Sequence, residues 1–206
     1  NIITEYMMKL ILEYINSGKI GEVVQEILAT YILNVKYPPN GITPAVGDGS
    51  SDDYDAIQGC INYASERGGG AIYFPVGTFF TSPLTLPENV SMYGFDRYKS
   101  KIMLKPKDTN KFLLSISGPN HQISNLGFDG NSDNQTQDVP AITTVNNVSN
   151  LLLTNLIIQN ASTALDLKGV HSHSQLSDIV LSQYRKVALS ITDGEGIQMD
   201  NIYFTS

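Results

Sequence analysis

Three carboxylates crowd one short segment of the chain: Asp129, Asp133 and Asp138 fall in the stretch DGNSDNQTQDV, residues 129–139. Cleaving a glycosidic bond takes two carboxyl groups about 5–9 Å apart, one as the acid and the other as nucleophile or base. A fourth, Asp166, joins the set if the segment around it stacks on the acidic stretch, which makes Asp129, Asp133, Asp138 and Asp166 the candidate catalytic residues. The competing reading is a solvated acidic loop with no chemistry. Asp193 and Glu195, either side of Gly194, suit a sugar groove or an ordinary turn. Six of the thirteen basic residues lie together, at Arg97, Lys99, Lys101, Lys105, Lys107 and Lys111. In a strand, Arg97, Lys99 and Lys101 would share one face, a site for an anionic polymer or else a charged edge that discourages strand pairing. His171 and His173 have no cysteine or third histidine near them in sequence, so neither a metal nor a cofactor is expected.

What would position these groups is a repeat. The pattern apolar, any, Asn or Asp, apolar, any, apolar occurs four times, as ISNLGF (123–128), LTNLII (153–158), LSDIVL (176–181) and MDNIYF (199–204). From Asn125 to Asn155, Asp178 and Asn201 the steps are 30, 23 and 23 residues. Alternating apolar residues indicate strands, and a fixed period of this size indicates units that bury their apolar faces only by stacking. A second set of apolar runs, at 141–143, 164–167 and 187–189, keeps nearly the same period. Two or more strands per repeat predict an all-β solenoid, a parallel β-helix of about 23 residues per coil. Asn125, Asn155, Asp178 and Asn201 are expected to turn the chain between strands, because their side chains tolerate left-handed backbone. The 30-residue step holds seven extra residues, and these fall in the acidic stretch, which is thus an insertion leaving a rigid stack.

Composition narrows the function. Charged residues make up 16% of the 206 residues, against about 25% in ordinary domains. Hydroxyls and amides dominate the remaining polar surface, which suits carbohydrate. A net charge of −7 disfavours nucleic acid and anionic membranes. The one cysteine, Cys60, excludes an internal disulfide framework. Residues 1–35 read as a helical region with two apolar stripes, Ile3, Met7, Leu10, Tyr14 and Ile20, Val24, Ile27, Tyr31, spaced for oligomerisation or for packing on the body. Residues 36–50 read as a Pro/Gly linker and 51–206 as the solenoid. Its first element is a helix begun by Ser51 or Asp52, with Ala56, Ile57, Cys60, Ile61 and Ala64 on its apolar face, ended at Gly68, Gly69 and Gly70, and placed to cap the first coil. After Phe204 nothing covers the last coil, so further chain or a subunit contact is expected there.

The stretch DGSSDDYDAIQGCINYASERGGGAIYFPVGTF, residues 48–79, resembles the opening of the pectate lyase superfamily domain. There an acidic turn, an AIQ-type helix, a glycine run and a YFPxGTY strand begin a right-handed parallel β-helix. The helical segment ahead of it is similar to that of phage preneck appendage proteins, the tailspikes of small tailed Bacillus phages. That resemblance implies a homotrimer attached to collar or tail proteins of the virion, which binds and in some cases degrades host cell-wall glycopolymer, teichoic acid included. FDGN at 128–131 also resembles the DGNG element of polysaccharide hydrolases. Thr192, Asp193 and Gly194 match the NTDG motif of polygalacturonases only in part, and its downstream partner motifs are absent. Two other readings stand beside this one: a secreted polysaccharide lyase or glycoside hydrolase, and a purely structural fibre segment.

Overall fold

The computed structural model describes residues 32–106, 110–145 and 147–205. The amphipathic stripes expected before Ile32, and Lys107, lie outside the described residues. Strands are numbered in chain order, and all pair in parallel within two sheets, as in a parallel β-helix.

The large sheet has two arms. The first is β1 (Ile32–Asn34), β3 (Gly70–Phe74), β6 (Val90–Gly94) and β9 (His121–Ser124), and the second is β2 (Asp48–Asp52), β4 (Gly77–Thr81), β7 (Ser100–Leu104) and β10 (Gly127–Asp129). Both arms meet on β12 (Leu151–Gln159), which continues into β14 (Ser174–Ser182) and β16 (Ile197–Thr205). The small sheet stacks β5 (Leu84–Leu86), β8 (Leu114–Ser117), β11 (Pro140–Val145), β13 (Thr163–Lys168) and β15 (Val187–Thr192).

Alternation sets the core. Ile123, Leu153, Leu176 and Met199 stand opposite one another on successive strands, in one column. The first three are fully buried, whereas Met199, on the outermost strand, is 47% exposed. In the small sheet Leu84, Leu114, Ile142, Leu165 and Leu189 form a matching column. Each buried leucine contributes about 1.5–3 kcal/mol, and stacking makes that gain available to units too small to close alone.

The bends carry the expected residues. Asn125, Asn155, Asp178 and Asn201 all have φ between 50° and 56°. Left-handed backbone costs an ordinary residue about 1–2 kcal/mol, and short polar side chains lower that by bonding locally. Here they bond along the stack: Asn155 Nδ2 donates to Asn125 Oδ1 at 2.7 Å, and Asn201 Nδ2 to Asp178 Oδ1 at 3.1 Å. A second ladder, not foreseen, runs through Asn89, Asn120 and Asn150, also left-handed and linked at 2.7 and 2.9 Å.

Helix α1 (Tyr54–Glu66) buries Ala56, Ile57, Cys60, Ile61 and Ala64, the face anticipated. Burial pushes the Cys60 thiol up to about 12. Gln58 completes the edge of the small sheet: its Nε2 donates to Thr85 O at 3.1 Å, and its Oε1 accepts Thr85 N–H at 3.0 Å. Three boundaries differ from expectation. The position before the helix is Asp53, yet Asp52, one of the two expected starters, is the residue whose Oδ1 accepts the first helical N–H, that of Tyr54, at 3.1 Å; the buried Asp53 carboxylate turns away to accept Val46 N–H at 2.6 Å and Gly47 N–H at 3.1 Å. Desolvation raises its pKa against those two bonds. Ile32–Asn34, inside the segment read as helical, is strand, because pairing with Ala71, Ile72 and Tyr73 satisfies its backbone and buries Leu33. Asp48–Asp52, within the segment read partly as linker, pairs with β4.

Candidate functional site

The acidic insertion is tied down rather than open. Asp129 ends β10 opposite Gln159, and its side chain is 5% exposed. It accepts bonds from Gln159 Nε2 at 2.9 Å, Asn160 Nδ2 at 3.1 Å and Asn131 N–H at 2.9 Å, with Lys101 Nζ 3.8 Å away. Asp133 is exposed and accepts from Arg185 Nη2 at 2.8 Å. Asp138 accepts from Lys186 Nζ, and from Ser162 Oγ at 3.1 Å. These hydrogen bonds, the lysine's first, hold its carboxyl below the usual range. Arg185 and Lys186 follow β14 and are themselves seated by backbone bonds to Ala161 and Ser162. The insertion is thus strapped across the intervening turn.

Asp166 stands elsewhere, on the outer face of the small sheet. Pro140, two residues after Asp138, faces Thr163, and Asp166 lies three residues further along β13, roughly 10 Å at strand rise. Its partner is Lys168, with Nζ 2.7 Å from Oδ2, and Thr143 Oγ1 lies at 3.5 Å. The expected four-carboxylate set therefore divides into an insertion group and a small-sheet group.

Around Asp166 the register builds a polar row. Thr85, Ser115, Thr143, Asp166 and Ser190 face one another in order across the five strands, with rungs about 4.8 Å apart. Lys168 stands opposite Thr192 in the neighbouring row. At the end of β13 the turn brings His171 Nδ1 within 3.9 Å of Glu195 Oε1. Asp193 occupies a left-handed turn position, φ 52°, and Glu195 N–H bonds Val170 O at 3.0 Å. A carboxylate, an ammonium and an imidazole beside a row of hydroxyls suit binding an acidic sugar chain, and proton transfer at it.

The basic run is not one strand face. Lys101 alone lies in β7 and turns to Asp129, while Arg97 and Lys99 belong to the turn 95–99. Asp96 imposes that turn: its Oδ1 accepts Tyr98 N–H at 2.9 Å, and its carbonyl accepts Lys99 and Ser100 N–H. Lys105 is spent on Asp52. Sequence reasoning missed Lys168, Arg185, Lys186, Gln159 and Asn160. For Lys168 a signal existed, since a residue two places from Asp166 in a strand shares its face. For the others the partner is fixed only by how far the insertion folds over.

The family described as "Rhamnogalacturonase A/epimerase, pectate lyase-like" matches residues 43–206. Among curated proteins, the SPbeta prophage-derived uncharacterized protein YomE of Bacillus subtilis is 24% identical over 162 residues, covering 74% of this chain and 25% of that protein. Mannuronan C5-epimerase AlgE2 of Azotobacter vinelandii is 35% identical over 109 residues, covering 46% of this chain and 11% of the enzyme. The chain therefore spans a quarter or less of these relatives. Among solved structures, ORF18 of Geobacillus virus E2 superposes with a TM-score of 0.65 at 19% identity, covering 92% of this chain and 38% of that one. The Dettilon tailspike protein superposes with 0.63 at 14% identity, covering 84% and 38%. These two likenesses concern the fold.

Proposed function

The chain belongs to the rhamnogalacturonase A/epimerase, pectate lyase-like family, and from that premise we propose that it is part of a viral tail or collar appendage that binds host cell-wall glycopolymer. The observation that carries the reading is the in-register row of Thr85, Ser115, Thr143, Asp166 and Ser190 on the small sheet, with Lys168 beside it. Ser115 in that row is buried, and Thr85, Thr143, Asp166 and Ser190 reach the surface, so polar groups recur at multiples of about 4.8 Å along an extended polymer. The fold likeness to a tailspike and to a viral protein, and the prophage-derived relative, support the viral setting. In this reading the coils are right-handed with about 23 residues each, α1 caps the first, and residues ahead of Ile32 form a helical attachment region joining a homotrimer to other virion proteins. Teichoic acid and uronic-acid polymers are the candidate ligands.

Resemblance to a mannuronan epimerase favours a second reading, chemistry at a uronate. Removing a proton next to a sugar carboxylate needs a base and a cation that stabilises the developing charge. Asp166 or His171 would serve as the base and Lys168 as the cation. Asp193 and Glu195 would bind the polymer from the turn beside His171. Asp129, Asp133 and Asp138 would shape the insertion beside the polymer; hydrolysis by them requires that their clamping partners release.

The test incubates the chain with purified wall teichoic acid, polymannuronate and polygalacturonate, and measures retention together with new reducing ends and unsaturated uronate. Retention without either product is the expected result. Unsaturated uronate, together with the reducing ends that elimination also leaves, would move the protein to the lyase reading, and new reducing ends without unsaturated uronate to the hydrolase reading. No retention of any polymer would leave the structural-fibre reading.

A further inference from the structure

The turn 95–99 carries aromatic and cationic groups that the small-sheet row does not use. Phe95 is 58% and Tyr98 63% exposed, two aromatic side chains on one turn. Phe95 N–H bonds Phe74 O at 3.1 Å, extending the β3–β6 ladder by one bond. Its parity in β6 is that of Tyr93, so it projects on the same outer side. Tyr93 in turn stands opposite Tyr73, with ring centroids 5.1 Å apart. Lys99 Nζ lies 5.8 Å from the Phe95 ring centre, and the Arg97 guanidinium 5.0 Å from that of Tyr98.

The turn is held in place. Arg97 Nη1 donates to Asp178 O at 3.0 Å, far along the stack. Its own carbonyl sits where a Cβ on Gly127 would come within 2.7 Å, so only glycine there lets the turn lie flat on the next coil. Charge distinguishes it too. Lys101, Lys105, Lys168, Arg185 and Lys186 are each paired with a carboxylate, whereas among the described residues Arg97 and Lys99, like the separate Lys36, Arg67 and Lys111, make no ion pair, and these two lie together on one turn. On a chain of net charge −7 they are unneutralised cations set beside exposed rings.

We propose that Phe95 and Tyr98, flanked by Arg97 and Lys99 and backed by Tyr73 and Tyr93, form a stacking platform for anionic sugar residues, a second contact away from the small sheet. The ring faces take the C–H face of a sugar, and the two cations take its carboxylate or phosphate. This rests on the glycopolymer reading and adds to it a separate place and a charge requirement.

The experiment is affinity electrophoresis of the full chain in gels containing polymannuronate (carboxylate), glucosylated glycerol-phosphate teichoic acid (phosphate) or dextran (neutral). Four proteins are compared: wild type, Phe95→Ala with Tyr98→Ala, Arg97→Gln with Lys99→Gln, and Asp166→Asn with Lys168→Gln. Unchanged thermal melting checks that each pair remains folded. The aromatic pair is expected to weaken retention by the anionic polymers at least about tenfold, the cation pair to weaken it and reduce its salt dependence, and dextran to retain none. The stronger of the two anionic arms identifies the source of the charge. Wild-type retention by both aromatic and cation variants, with loss only on changing Asp166 and Lys168, would overturn the platform and leave the small-sheet site standing. Loss confined to the aromatic and cation variants would do the reverse. If wild type is retained by neither anionic polymer, or equally by dextran, the platform falls outright.

Discussion

At the scale of single residues, the polar side chains at the bends store a conformational preference as well as a hydrogen bond. Asn155, φ 50°, donates to Asn125 Oδ1 at 2.7 Å. Asn155→Ala should lose about 1 kcal/mol for the bond and about 1–2 kcal/mol for the left-handed backbone, read as a lower urea midpoint. Asn155→Gly should recover most of the backbone part. An alanine variant as stable as the glycine one would show that φ is not the constraint. Asp138 gives a pH test. Its folded pKa is depressed, so native chains bind fewer protons there than unfolded ones. Its contribution to stability is therefore present above the ordinary carboxylate range and lost as the pH falls through the depressed value. Carbon-13 titration of the Asp138 carboxyl should show a midpoint below the ordinary range, and Lys186→Met should bring it back up. An unmoved midpoint would mean that Lys186 is not the cause.

At the scale of elements, legibility in the sequence followed local rules. The strands around Leu153, Leu176 and Met199, the helix with Cys60 and Ile61 on its buried face, and the Asn/Asp bends were readable because each follows from side-chain alternation, helical spacing or tolerance of positive φ. The ladder through Asn89, Asn120 and Asn150 escaped notice because irregular coils space its members 31 and 30 residues apart, outside the 23-residue period. The site was less legible. Asp166 and the insertion acids are close in repeat position yet apart in the fold: Asp129 ends a strand of the large sheet, Asp133 and Asp138 lie in the insertion itself, and Asp166 stands within the small sheet, because an insertion lengthens one turn without moving the strands that frame it. Arg97, Lys99 and Lys101 alternate in sequence, but Asp96 curls the first two into a turn before β7 begins. No periodicity argument foresees a side chain that overrides strand parity.

For the whole molecule, stability should be distributed along the stack rather than concentrated at one centre. Leu176 fills the interior column between Leu153 and Met199 and is fully buried. Leu176→Ala should destabilise by about 2–5 kcal/mol, whereas Met199→Ala, on the outermost strand where the side chain is 47% exposed, should change the urea midpoint far less. Equal losses at both positions would argue against burial as the source of the difference. The function proposed for the molecule stands on a polymer lying across its rungs. The most direct measurement is a crystal structure of the chain soaked with an acidic oligosaccharide. Sugar density crossing Thr143, Asp166 and Ser190, with a sugar anion at Lys168, is the expected result, and an oligosaccharide bound only away from the small sheet would contradict it.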